Sequence, residues 1–296
     1  MYTRILFPTD GSDVATEAFE YVLDVAAAHD ATIHVLNVAD TNQDSLTLVE
    51  GQVVDVLEGE GREIVDAAAD RATDRGVDVV AEVLQGDPVK TIVDYADEYG
   101  IDLVVMPTHG RRGLSRVLLG SVTERVITSA EVPVVAVTPD DDHEFVYPPR
   151  AVLVATDGSR AAGLALESGI DLARGTGAAL HVLHVVETAS LGFDVRSVVA
   201  SDQLDAKGES ILREAVDAAE AAGVDSVTGS IAYGRAYREI RSYLSEHGID
   251  LVAVGTHGET DFSRSVLGGV TTKIVRDSSV PVLLRREPEE DADAGR

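Results

Sequence analysis

The stretch that decides the fold occurs twice, as VVMPTHGRRGLSRVLLGSVTERVI at residues 104–127 and as VAVGTHGETDFSRSVLGGVTTKIV at residues 252–275. Each copy begins with a short apolar run, continues through a glycine-punctuated turn, and ends with apolar residues at helical spacing. The glycines follow the spacing G-x2-G-x9-G, except that the first copy has Pro107 where the second has Gly255. Each copy therefore predicts a strand, a turn and a helix in succession.

The rest of the chain repeats in the same register. Asp10 aligns with Asp157 at an offset of 147 positions, and Pro133 aligns with Pro281 at an offset of 148. An offset that changes by only one position over the whole unit indicates an internal duplication. We predict two domains, at residues 1–139 and 150–286, with a linker at 140–149 and an acidic tail at 287–296.

Each unit alternates strand-like and helix-like segments. The predicted strands of the first unit are RILFPT, TIHVLNV, VVAEVLQG, DLVVMPT and PVVAVTP, and the second unit has a counterpart of each. Segments such as 14–28 and 64–75 carry apolar residues at three- and four-residue spacing, which indicates helices. Alternating strands and helices predict an α/β fold with a parallel sheet that helices cover on both faces.

The charge of the chain excludes some classes of partner. Asp and Glu number 52 against 24 Lys and Arg, which gives a formal net charge of -28. Such a surface repels phosphate backbones and anionic lipid, so we predict neither a nucleic-acid partner nor a membrane partner. In composition the chain resembles the proteins of salt-loving archaea, because carboxylates are abundant and lysine is scarce.

Cysteine and hydropathy bound the chemistry further. The chain has no cysteine, so disulfides and thiolate chemistry are excluded. No apolar run approaches the roughly 18 residues of a membrane-spanning helix, and no signal-peptide pattern precedes the first predicted strand. We therefore expect a cytoplasmic protein.

The glycine-rich turns are candidate ligand sites. In open parallel α/β sheets, ligands bind beyond the carboxyl ends of the strands. Glycines let backbone N–H groups approach an anion, and a helix N-terminus favours negative charge. Structural alternatives stay open: Ser121 and Glu124 match a helix capping box, Asp10 and Asp157 could cap the helices that follow them, and the glycines could only permit tight loops.

Combined with PTDGS and ATDGS at the ends of the first strands, the repeated glycine pattern resembles the universal stress protein family in its tandem two-domain form. The resemblance covers both units. It implies two Rossmann-like domains related to the adenine nucleotide alpha hydrolases, each with a five-stranded parallel sheet of order 3-2-1-4-5. It also implies binding of ATP, with Mg²⁺ accompanying the phosphates, a role in stress response, and pairing of the two units through their fifth strands as an internal pseudo-dimer. Formation of a homo-oligomer stays open.

The resemblance also implies which residues bind the nucleotide. In the first unit, the first-strand turn and Asp10 would contact adenosine or a phosphate-bound metal ion, Val38 would meet adenine through its backbone, and the glycine-rich loop would hold the phosphates. The positions are Pro8, Thr9, Asp10, Val38, Met106, Gly110, Gly120, Ser121 and Val122 in the first unit, and Ala155, Thr156, Asp157, Val185, Gly255, Gly258, Gly268, Gly269 and Val270 in the second.

Each copy departs from the family pattern at one position. Pro107 removes a backbone N–H donor from the first unit, whereas Gly269 removes a hydroxyl from the second. The first loop continues with Arg111 and Arg112, and the second carries Glu259 and Asp261. We therefore expect the first unit to bind an anion better than the second.

No residue is predicted to be catalytic, and no metal site is predicted. His109 and His257 have no partners at the spacing of a catalytic triad, and the G-x4-G-K-[ST] loop of P-loop enzymes is absent. His34 and His181 lie on the predicted second strands and are expected to pack in the core. Two other functions stay open: a slow ATP hydrolase or nucleotide-activating enzyme, and an interaction scaffold that binds no nucleotide.

Overall fold

The computed structural model describes residues 2–40, 46–49, 52–109, 119–139, 145–187, 195–258 and 266–288. Strands and helices alternate along both units. The first unit comprises β1 (Arg4–Pro8), α1 (Asp13–His29), β2 (Thr32–Asp40), β3 (Leu46–Val49), β4 (Gln52–Asp55), α2 (Val56–Asp74), β5 (Val79–Gly86), α3 (Pro88–Glu98), β6 (Leu103–Pro107), α4 (Ser121–Ser129) and β7 (Val134–Val137). The second unit comprises β8 (Ala151–Ala155), α5 (Arg160–Thr176), β9 (Ala179–Glu187), α6 (Val195–Ala221), β10 (Val227–Gly234), α7 (Ala236–Glu246), β11 (Leu251–Gly255), α8 (Gly269–Asp277) and β12 (Val282–Arg285).

Each unit forms a parallel sheet of five strands. The spatial order is β5-β2-β1-β6-β7 in the first unit and β10-β9-β8-β11-β12 in the second, which is 3-2-1-4-5 when the strands of each sheet are counted along the chain. All pairings within each five-stranded sheet are parallel. The point where strand order reverses, between the first and fourth strands, is where a doubly wound sheet opens a crevice.

Alternation along β1 divides the core into two layers. Ile5 and Phe7 pack in the layer that contains Phe19 of α1, whereas Leu6 packs in the layer that contains Ile92 of α3 and Val126 of α4. Successive side chains of a strand point to opposite faces, so an uninterrupted apolar strand needs helices on both sides. Burial of each large aliphatic side chain contributes about 1.5–3 kcal/mol to folding.

The two units join through their fifth strands. β7 and β12 pair antiparallel, with Val135 opposite Leu283, and both side chains are buried. This pairing produces one ten-stranded sheet and covers the edge strand of each unit. Because the shared pair is antiparallel, the strands of the two units run in opposite directions, and their carboxyl ends lie at opposite edges of the sheet.

Four features were not predicted from the sequence. An antiparallel hairpin, β3–β4, precedes α2 in the first unit. Val38 and Val185 do not end the second strands, because β2 and β9 each continue for two more residues. Part of the predicted linker packs on the first unit, where the Tyr147 ring lies edge-on to Tyr21 at 5.8 Å between ring centroids. In the predicted tail, Glu287 forms an ion pair with Arg160 at 3.1 Å, and residues 289–296 lie outside the described part of the chain.

Two histidines of the second strands form hydrogen bonds with tyrosine hydroxyls, one in each unit. His34 Nδ1 lies 2.9 Å from the Tyr95 hydroxyl, and His181 Nδ1 lies 3.0 Å from the Tyr243 hydroxyl. Burial lowers the pKa of both imidazoles below the ordinary value of 6.5. His34 is buried, as predicted, whereas His181 is only partly buried at the equivalent position of β9.

We expect acid to destabilise the protein through these rings. The unfolded chain takes up protons at the ordinary pKa, before the folded chain does, so the stability they contribute is complete above about pH 6.5 and is lost as the pH falls toward the lowered pKa. The urea midpoint should fall as the pH is lowered from about 8 to about 5.5. The midpoint of the double variant His34→Gln, His181→Gln should fall less steeply over the same range. If the urea midpoints of the two proteins fell equally as the pH was lowered, the two histidines would not be the cause.

Candidate functional site

The turn after the first strand is built alike in both units. Thr9 Oγ1 accepts a hydrogen bond from Gly11 N at 3.1 Å, and Asp10 Oδ1 accepts one from Ser12 N at 3.1 Å. Ser12 is the N-cap of α1, since its Oγ accepts from Ala15 N. The second unit repeats the three bonds at Thr156, Asp157 and Ser159. The aspartates therefore shape the turn and do not cap the helix, so the capping alternative for them is wrong.

The left-handed glycine of this turn is required by the backbone. Gly11 has φ 71° and Gly158 has φ 82°, a region that residues with a Cβ rarely adopt. This geometry brings the aspartate to the carboxyl edge of the sheet in each unit.

The second strand supports the same turn through different side chains. In the first unit, Asn37 Nδ2 donates a hydrogen bond to the Thr9 carbonyl at 2.8 Å. In the second, His184 Nδ1 donates to the Thr156 carbonyl at 2.9 Å, which places the ring proton on Nδ1 because a carbonyl only accepts. A helical glycine lies against each of these side chains, Gly61 of α2 against Asn37 and Gly208 of α6 against His184.

Backbone bonds close the loop after the fourth strand. Gly120 N donates to the Thr108 carbonyl at 2.7 Å, and Gly268 N donates to the Thr256 carbonyl at 2.9 Å. Thr123 Oγ1 also donates to the Pro107 carbonyl at 2.9 Å, as Thr271 Oγ1 does to Gly255 at the same distance. These bonds hold the start of α4 and α8 at the ends of β6 and β11. Residues 110–118 and 259–265 lie outside the described chain, so the prediction for Gly110 and the loop charges is not tested by the structure.

The helices α4 and α8 begin without a capping side chain. Their N-caps are Gly120 and Gly268, and neither N-terminus has a side-chain cap hydrogen bond. The predicted capping box is wrong because α4 begins one position earlier than the box requires. Ser121 is the first helical residue and Glu124 the fourth, whereas a capping box joins the N-cap to the third.

Pro107 and Gly255 differ for a reason of packing. A Cβ on Gly255 would lie 2.8 Å from the backbone carbon of Ala161 and the backbone nitrogen of Ala162, so α5 approaches β11 too closely for a side chain. In the first unit, Thr108 N donates to Val137 of β7, so by alternation the nitrogen of Pro107 faces away from β7. On its other side, β6 pairs with β1 at Leu103 and Val104, so Pro107 lies beyond that pairing.

The other predicted residues flank this edge of the sheet. Pro8 and Ala155 end the first strands, and Met106 lies on β6 with its side chain buried in the core. Val122 and Val270 occupy the second position of α4 and α8, and Val270 is 37% exposed. Gly258 follows His257 at the end of the described segment. The structure thus brings the predicted residues of each unit, among those it describes, to one edge.

Sequence reasoning missed a basic cleft in the second unit. Its charged lining consists of Arg235 and Arg238 at the start of α7, Lys273 and Arg276 on α8, and Glu187 at the end of β9. The cleft encloses about 480 Å³. Comparing the two units position by position would have found it, because the first unit has Asp87, Lys90, Arg125 and Thr128 where the second has the four cations.

Neither a metal cluster nor a membrane helix is found in the described part of the chain. No group of three or more His, Asp or Glu side chains there could hold a metal ion. None of the helices in that part is long and apolar enough to cross a bilayer.

Two glycines of α2 provide a matched test of the packing behind the first-strand turn. A Cβ on Gly61 would collide with the Asn37 side chain, whereas one on Gly59 would meet nothing within 4 Å. We expect Gly59→Ala to stabilise the protein by about 0.5–1 kcal/mol, because alanine is the better helix former. Gly61→Ala should instead destabilise it and displace Asn37 from the Thr9 carbonyl. Urea unfolding of both variants measures the difference, and equal stabilisation would disprove the close approach.

Comparison with known proteins gives the same family for both units. The sequence model of the universal stress protein family matches residues 1–138 and 149–286. A universal stress protein of Methanocaldococcus jannaschii is 39% identical over 140 residues, which cover 46% of this chain and 82% of that protein. One from Mycobacterium tuberculosis is 31% identical over 240 residues, 78% of each chain. The crystal structure of a universal stress protein from Archaeoglobus fulgidus has a TM-score of 0.74 at 25% identity and covers 96% of this chain and 98% of its own. The chain therefore belongs to the universal stress protein family and contains two copies of the family's domain in tandem.

Proposed function

We propose that the protein binds an adenine nucleotide, ATP in the first instance, and acts in stress response through a nucleotide-dependent change of conformation or partner binding. One observation carries the proposal: in each unit an uncapped helix N-terminus is fixed at the carboxyl edge of the sheet, beside an acidic turn. Membership of the universal stress protein family supports the stress-response role.

The helix starts are suited to phosphate. The first N–H groups of a helix have no partner within the helix, and a capping side chain usually accepts from one of them. Gly120 and Gly268 supply no such side chain, so α4 and α8 retain donors and the positive end of the helix dipole for an anion. The bonds from Gly120 and Gly268 to the preceding strand fix these donors before a ligand arrives.

The first-strand turns are suited to the sugar end of a nucleotide. Asp10 and Asp157 use Oδ1 to hold the turn, so the carboxylate is oriented at the edge of the sheet. A carboxylate there can accept hydrogen bonds from ribose hydroxyls or contact a Mg²⁺ ion that accompanies the phosphates. ATP would supply the charge that the helix starts attract, and Pro8, Thr9, Ala155 and Thr156 would line its adenosine.

The two units should differ in affinity. Ser121 offers a hydroxyl at the first position of α4, and Gly269 lacks it at the first position of α8. Pro107 is not a comparable loss, because its nitrogen faces away from β7 and lies beyond the β1 ladder. We therefore propose that the first unit is the tighter nucleotide site.

Calorimetric titration of the full chain with ATP and Mg²⁺ tests the proposal. Asn can keep the turn bond that Asp makes with Ser12 or Ser159 while removing the charge, so Asp10→Asn and Asp157→Asn leave the fold intact. We expect ATP to bind the parent protein, and Asp10→Asn to weaken the tighter site more than Asp157→Asn does. Absence of binding in the parent would refute nucleotide binding and favour the scaffold function. A stronger effect of Asp157→Asn would reverse the proposed order of the units.

Restoring the missing hydroxyl should raise the affinity of the second unit. A Cβ on Gly269 would meet nothing within 4 Å, so serine fits there without displacing a neighbour. Gly269→Ser should strengthen ATP binding in the second unit by about 1 kcal/mol, close to fivefold, through one added hydrogen bond. Ser121→Gly is the matched loss in the first unit, with the opposite sign. If neither change alters the titration, the hydroxyl does not contact the nucleotide.

A further inference from the structure

We propose that the basic cleft of the second unit is a binding site for a multiply phosphorylated small molecule. Four cations line it against one carboxylate, Glu187: the N-cap Arg235 and Arg238 at the start of α7, and Lys273 and Arg276 of α8. The chain carries only 24 Lys and Arg against 52 acidic residues, so a group of four cations around one cavity stands out against its surface.

Three of these cations are available to a ligand. Among the residues that the structure describes, Arg235, Arg238 and Lys273 form no ion pair with a carboxylate. Arg276 is bound by Asp277, with Nε–Oδ1 at 2.8 Å, and the Tyr237 hydroxyl donates to the same carboxylate at 2.7 Å. The Asp277 carboxylate therefore orients the fourth cation and the tyrosine at the wall of the cleft.

The charge of the cleft distinguishes the two units. At the equivalent positions the first unit has Asp87 for Arg235, Lys90 for Arg238, Arg125 for Lys273 and Thr128 for Arg276. Lys90 is also paired with Asp94 one turn along α3. The duplicated fold thus has the same helix pair twice, with two cations at these positions in the first unit and four in the second, and the packing of the fold does not require the additional two.

The start of α7 already binds a negative group. Ala236 N, the first N–H of the helix, donates to Glu187 Oε1 at 3.3 Å, and the N-cap Arg235 makes no side-chain cap bond. Glu187 therefore occupies the anion position of this helix end and opposes a ligand there. A phosphate that enters the cleft competes with this carboxylate.

Size and lining define the class of ligand. About 480 Å³ falls within the range of small-molecule sites, roughly 300–1,000 Å³. Tyr237 and the exposed Val270 provide apolar surface beside the cations. Guanidinium groups bind phosphate through paired hydrogen bonds, which suits a ligand with two or more phosphate groups. Val270 also belongs to the proposed nucleotide site of this unit, so the phosphates could belong to a nucleotide or to a separate anion.

Titration of the full chain with tripolyphosphate tests the site directly, without adenosine. We expect binding that weakens as salt rises, because the cations are exposed. The double variant Arg238→Gln, Lys273→Gln should bind roughly tenfold more weakly for each cation removed, as for the loss of one charge-assisted hydrogen bond. Lys90→Gln, Arg125→Gln changes the equivalent positions of the first unit and should leave affinity unchanged. Glu187→Gln should increase affinity, since it removes the opposing charge.

Competition with ATP identifies the source of the phosphates. If ATP displaces tripolyphosphate, the cleft binds the phosphates of a nucleotide. If both bind together, the cleft binds a separate anion. Either result requires tripolyphosphate to bind in the cleft. Failure of tripolyphosphate to bind, or equal losses in the two double variants, would overturn the proposal. The nucleotide proposal can fail independently, because its Asp10→Asn and Asp157→Asn variants leave these cations in place.

Discussion

The candidate sites depend on one hydrogen bond in each unit, from the backbone N–H of the N-cap glycine to the carbonyl of the threonine that follows the fourth strand. Gly120 to Thr108 measures 2.7 Å and Gly268 to Thr256 measures 2.9 Å. The bond returns the chain to the end of the strand from which it left. It thereby fixes where the next helix begins and directs the uncapped start of that helix to the edge where the strand order reverses.

The sequence predictions succeeded where burial decides the structure and failed where this backbone hydrogen bond decides it. Apolar alternation predicted the strands and the repeat offset predicted the duplication, because both follow from burial on two faces of a sheet that occurs twice. The strand order and the pairing of the units through their fifth strands were implied by the resemblance to the universal stress protein family, and the structure has both. The S-x-x-E pattern at Ser121 failed, because the backbone bond of Gly120 places the helix start one residue away from a capping box. A local pattern is thus overridden by a contact with a residue twelve positions earlier in the chain. The β3–β4 hairpin was missed because it forms a separate two-stranded sheet outside the repeated pattern of five strands.

The basic cleft could not be found from local motifs, for a different reason. Its cations come from the start of α7 and from α8, and three of them, Arg235, Arg238 and Lys273, are ordinary exposed residues. Only the tertiary packing of the two helices brings them around one cavity. The duplication nevertheless contained the signal, since a substitution such as Asp87 to Arg235 reverses a charge at a position whose backbone environment is otherwise retained.

Comparison of the two units therefore distinguishes the hydrogen bonds that the fold requires from the side chains that would bind a ligand. The turn bonds of Asp10 and Asp157, the loop bonds of Gly120 and Gly268, and the threonine bonds of Thr123 and Thr271 recur in both units. The groups that face a ligand do not all recur, as Ser121 against Gly269 and Asp87 against Arg235 illustrate. Because the strands of the two units run in opposite directions, the two sites lie at opposite edges of the sheet, too far apart to share one small ligand. A scaffold that repeats its backbone bonds and varies its charges can hold two different phosphorylated ligands, and the antiparallel pair β7–β12 would connect their sites through one continuous sheet.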